Sequence, residues 1–185
     1  MEEKSHIINI LKKVESNLNK KNYLEIKNLS NQLIHQSSIN QDPDIISLAV
    51  ILYSLSKLLE REEYKKQKNW DSFYSKYVKS ISNARISLEK NDLDYFRKEI
   101  LFIRELIQGL SGKLKEYIQE VFRKAQINKA SKIYEHGISM EKTAKILGIT
   151  IWELAEYAGT KVQDTNLALT MPIDKRIKIA EEVFK

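Results

Sequence analysis

QDPDIISLAVILYSLSKLL, residues 41–59, is the stretch on which the fold turns. Asp42 stands at a helix cap and Pro43 at the first helical position, where its missing N–H is no loss. Asp44 lies beside the positive helix end. The residues that follow are apolar almost all round, and a helix apolar on every side must be wrapped by others. This segment therefore predicts the buried centre of a helical bundle. It is too short for a membrane span, which needs roughly eighteen apolar residues, and Ser and Tyr interrupt it.

Working outward, apolar residues recur at helical spacing along most of the chain. Ile7, Ile8, Leu11, Val14 and Leu18 form one stripe, with Ser5 as the expected cap. Asn22 is placed to cap a second helix carrying Leu24, Leu29 and Leu33. After the charged stretch Glu60 to Lys68, a stripe of Trp70, Phe73, Tyr77, Ile81 and Ala84 follows a cap at Asn69 or Asp71. Leu93, Phe96, Ile100, Ile103 and Ile107 define the next helix, which Gly109 and Gly112 punctuate. A sixth runs through Leu114, Ile118, Val121 and Phe122 and could reach Tyr134. The short connections favour antiparallel neighbours.

Composition agrees with this pattern. The chain has 185 residues, of which 42% are hydrophobic and 30% charged. A chain of that length buries about 70% of its unfolded surface, enough for a core without staples. There is no Cys, which excludes disulfide frameworks, thiolate metal sites and cysteine nucleophiles. Two Pro and five Gly argue against an all-β or disordered protein. The charged first thirty residues do not read as a secretory segment. The expectation is a soluble, cytoplasmic, all-α protein. It should comprise a bundle over residues 1–125 and a second module over 126–185, with the boundary at 125–130 bridged by a linker that can itself be helical. An amphipathic helix with Ile173, Ile177, Ala180 and Val183 on one face is expected to close the chain.

Three of the five Gly lie in that second module, each where a short helix should stop. Ser139 can cap a helix that includes Met140 to Leu147, in which Ala144 is small enough for a second helix to approach. Gly148 turns the chain, Ile149 plugs the core beneath the turn, and Thr150 can cap the next helix, with Leu154 and Tyr157 inward. This is the grammar of a helix-turn-helix.

The run KIYEHGISMEKTAKILGITIWELAEYAG, at residues 132–159, also resembles the small antitoxin-like helix-turn-helix proteins of bacteria and archaea. The matching positions are Tyr134, Gly137, Ser139, Ala144, Gly148, Ile149, Thr150, Trp152 and Glu153. The resemblance covers about thirty residues and implies a role in transcriptional or toxin–antitoxin regulation; it says nothing of the bundle.

In such a module the residues facing DNA come from the start and outer face of the second helix. Here these are Thr150, Ile151, Trp152, Ala155 and Glu156, without the Arg, Lys, Asn or Gln that read base edges. Glu153 and Glu156 would repel phosphates, which Lys142, Lys145 and Lys161 could offset. Lys124, Lys129 and Lys132 lead into the module and extend the candidate phosphate-binding set. Residues 126–185 hold nine Lys and Arg against eight Asp and Glu, so most of the formal +6 lies in the bundle. Ile151 and Trp152 form an apolar pair suited to a protein partner or a dimer mate, or to packing inside the protein. The three His, at 6, 35 and 136, are scattered with no metal-ligand spacing. With no phosphate loop and no Ser-His-Asp set, the expectation is a non-enzymatic protein without metal or cofactor. Duplex DNA is the expected partner, a protein the alternative.

Overall fold

A computed structural model describes residues 2–40, 42–61, 65–110 and 112–164. Among these the chain is all-α, with no strand. The helices are α1 (Glu2–Asn19), α2 (Tyr23–Asn40), α3 (Pro43–Glu60), α4 (Trp70–Glu89), α5 (Leu93–Gln108), α6 (Gly112–Glu135), α7 (Met140–Leu147) and α8 (Ile151–Asp164).

α3 is the buried centre. Asp42 caps it, its carboxylate accepting from the Asp44 N–H at 2.9 Å. Buried side chains occur on all its faces, from Ile45 and Ile46 through Leu52 to Leu59. Its buried hydroxyls are satisfied internally: those of Ser54 and Ser56 donate to the Val50 and Tyr53 carbonyls. Neighbours also bond to its backbone. Ser30 of α2 donates to the Ala49 carbonyl at 2.7 Å, and Tyr77 of α4 to that of Ile51 at 2.8 Å. Such bonds remove the cost of burying hydroxyls and fix the rotation of one helix against the next.

The helices pack in sequential pairs, α1 on α2, α2 on α3 and α4 on α5, while α6 lies against α2, α3, α7 and α8. The expected boundary at 125–130 falls inside α6. Buried residues on both sides of it, from Ile118 to Ile133 and on to Leu147 and Leu154, belong to one continuous core.

Several local expectations differ from the structure. Ser5 lies within α1, which starts at Glu2, and so is not its cap. Asn69 takes the cap position of α4 with φ of 71° but makes no side-chain cap bond. Leu24 and Leu93 are exposed, each in the first turn of its helix, where the apolar face has yet to meet a neighbour. Asn22 does cap α2, accepting from the Glu25 N–H at 3.3 Å. The closing helix expected over 170–185 lies outside the described residues. No helix among the described residues is long and apolar enough to cross a membrane.

Candidate functional site

α7 and α8 are joined by a tight turn, and local chemistry explains each of its corners. The Ser139 hydroxyl caps α7 by accepting from the Lys142 N–H at 3.3 Å. Gly148 ends α7 at φ of 65°, a left-handed conformation that a side chain would strain. The Ile149 N–H reaches back to the Ala144 carbonyl at 3.1 Å, which satisfies a free helix end. Ala144, Leu147, Ile149 and Leu154 are all buried beneath the turn. α8 opens with a capping box: the Thr150 hydroxyl accepts from the Glu153 N–H at 3.2 Å, and the Thr150 N–H donates to the Glu153 carboxylate at 2.9 Å.

α6 fastens this unit from behind. Arg123 donates through Nε to Glu153 at 2.8 Å and through Nη1 to the Gly148 carbonyl at 3.1 Å, so one guanidinium grips both the turn and α8. Gln126 donates to the Leu147 carbonyl at 3.1 Å, and Asn128 to the Tyr157 hydroxyl at 3.0 Å. The sequence reading takes Glu153 as a charge that repels phosphate; the fold pairs it with Arg123 instead. The Arg123 bond, together with those from Thr150, holds the Glu153 carboxyl down to about 2.

The remaining candidates divide by exposure. Lys142, Lys145, Thr150 and Ile151 are exposed, and Trp152 is 84% exposed. Trp152 thus stands outward rather than packing against the bundle. Lys124 is exposed and ion-paired with Glu120 one turn back; Lys132 is half-buried. The Lys161 side chain lies outside the described residues.

Lys129 corrects the sequence reading. It is fully buried and cannot belong to a cationic surface. Its ammonium donates to Asn31 Oδ1 at 2.6 Å and lies 4.2 Å from the centre of the Tyr53 ring. Among the described residues no carboxylate pairs with it. Burial, with Lys132 and Lys27 adding repulsion, pushes the group down to about 7. A signal was present in the sequence: Lys129 stands four residues after Ala125 and four before Ile133, on the inward stripe of α6.

The histidines are not all apart, as their spacing suggests. His35 of α2 and His136, just beyond α6, meet with Nδ1 and Nε2 3.3 Å apart. Among the described residues no group of three metal-ligating side chains gathers. The chain matches no protein-family model, no curated protein and no solved structure, so the site is read from its own geometry.

Proposed function

We propose that the protein is a non-enzymatic, DNA-associated regulator of the antitoxin-like helix-turn-helix kind. α7 and α8 would dock on duplex DNA, and the bundle would serve dimerisation or partner binding. The observation that carries this reading is the Arg123–Glu153 clamp. It neutralises the carboxylate that would otherwise face phosphates at the start of α8, and it leaves Lys142 and Lys145 exposed on α7. Docking then rests on phosphate contacts from Lys142, Lys145 and Lys161, with Thr150 and Trp152 at the surface. Because the start of α8 offers no Arg, Lys, Asn or Gln to base edges, sequence preference is modest unless dimerisation supplies it.

A second reading is favoured by one observation, the exposure of Trp152 at 84% beside Ile151 at 46%. An outward Trp in an apolar pair is the residue type that anchors protein interfaces. On this reading the same tip grips a protein partner.

Binding of the full chain to labelled duplex DNA, measured between low and physiological salt, separates the two. DNA docking predicts a steep loss of affinity with salt, and Lys142→Ala with Lys145→Ala lowers the slope of log K against log salt by about two. A protein interface predicts that Trp152→Ala dominates and that salt matters little. Absence of binding even at low salt overturns the DNA reading.

A further inference from the structure

α5 buries one face and leaves an apolar pair on the opposite one. Phe96, Ile100, Ile103 and Ile107 are buried along its inner side. Leu101 and Phe102, adjacent at mid-helix, are both exposed on the far side. Charge is ordered around them. Lys98 stands one turn before the pair and Glu105 one turn after it, and at spacings of three, four and seven residues all of these side chains share one face. Lys98 and Glu105 are exposed, lie two turns apart on the helix, and have no ion-pair partner among the described residues.

The face continues into the groove between α4 and α5. Leu101 and Phe102 line a hollow of about 570 Å³ there, rimmed by Lys76 and Lys79 of α4. Phe102 also lines the next hollow along the same two helices, together with Phe73 and Leu106. The trough is therefore apolar along its floor. Its rim carries both signs, Lys76, Lys79 and Lys98 against Glu105 and the hydrogen-bonded Glu99. Such a near balance suits a copy of the same face better than a strongly acidic or basic partner.

The order Lys98, Leu101, Phe102, Glu105 is complementary to its own reverse. Set antiparallel against itself, it brings Lys98 opposite Glu105 and Leu101 opposite Phe102, each twice, which is the condition for a two-fold interface. We propose that α5 pairs with α5 of a second copy of this chain, antiparallel, about a two-fold axis between Leu101 and Phe102. The apolar pairs meet over the trough and the two Lys98–Glu105 pairs flank them. The inference deepens the reading that gives the bundle a dimerising role and rests on that part of it, not on DNA docking.

Sedimentation velocity of the full chain without DNA, from low micromolar to sub-millimolar concentration, is the test. The expected result is a reversible monomer–dimer equilibrium. Leu101→Glu sets a charge beside the axis and leaves the chain monomeric with its helical circular dichroism retained. Lys98→Glu alone, or Glu105→Lys alone, places like charges opposite each other twice and weakens association about tenfold. Mixing those two single variants restores it, because the mixed dimer has opposite charges at both contacts. A chain that stays monomeric throughout the range overturns the proposal. So do a dimer that survives Leu101→Glu, single variants that fail to recover on mixing, and loss of the dimer in Trp152→Ala, which would place the contact at the tip of α8. Salt-dependent DNA binding by a monomeric parent would sink the α5 interface and leave docking standing; a parent that dimerises but binds no DNA would do the reverse.

Discussion

The two tryptophans of this chain sit in the first turn of their helices and meet opposite fates. Trp70 opens α4 and is 4% exposed, stacked on Tyr74 with ring centres 5.8 Å apart and close to Phe73. Trp152 is the second residue of α8 and is 84% exposed. The difference lies in phase. Trp70 heads the stripe of Phe73, Tyr77, Ile81 and Ala84, which α4 turns toward the bundle. Trp152 lies two residues before the buried Leu154, about 200° round the helix, so seating Leu154 points Trp152 outward. The bundle uses its aromatic residue to close a core, whereas α8 seats Leu154 in the core and leaves its large side chain for the outside.

The sharpest attack on that comparison is Trp70→Ala. It removes a buried aromatic from the α4 stripe and should cost about 3–5 kcal/mol, read as a lower urea midpoint with an unchanged slope. A loss below about 1 kcal/mol would mean that Trp70 is not the core residue its burial makes it.

Lys129 comes next, because it places a surface-type side chain where Trp70-type residues belong. Its folded value is about 7, against an ordinary 10.5 that the unfolded chain retains. Between those values the unfolded chain holds a proton that the folded chain has released, so stability rises as pH goes from about 7 toward 10.5. Below 7 both states are protonated, this contribution is absent, and the folded state bears a buried charge. Lys129→Met should therefore be more stable than the parent near pH 6 and should flatten the rise with pH. Urea unfolding at pH 6 and pH 9 checks this; a parent chain with no rise across that window would show that the ammonium is not held as buried.

The smallest effect belongs to Trp152→Ala, expected to change stability by less than about 0.5 kcal/mol while removing most of the tryptophan fluorescence that soluble quenchers reach. A destabilisation of several times that size would make Trp152 a core residue and erase the contrast with Trp70.

Much of this architecture is local and therefore legible in the sequence. The Asp42-Pro43 start of α3, its apolar surround and the inward stripe of α4 follow from capping and helical period. So do the Ser139 cap, the left-handed turn at Gly148, the plug at Ile149 and the Thr150 cap of α8, while the answering bond of Glu153 went unread. Each of these features depends on residues within a few positions of one another, and their spacing is visible without a fold. Where periodicity was an incomplete guide, as for Leu24 and Leu93, the residue had the right phase but stood in a first turn with no helix to cover it.

What remained for the tertiary structure to decide were the meetings between distant residues. Arg123 reaches Glu153, Lys129 reaches Asn31 and Tyr53, and His35 reaches His136. Spacing along one helix can place a charged side chain on an inward stripe, as for Lys129, but which group it then meets depends on which helices pack beside it and at what rotation. Arg123 and Lys124 are adjacent in sequence and about 100° apart around α6, enough to send one to the turn at Gly148 and the other to solvent. The same geometry set a cleft between α3, α6 and α8, whose lining comes from three separate stretches of chain. Helices and turns are products of local chemistry, while the pairing of charges and the shape of the cleft come from packing those helices around α3.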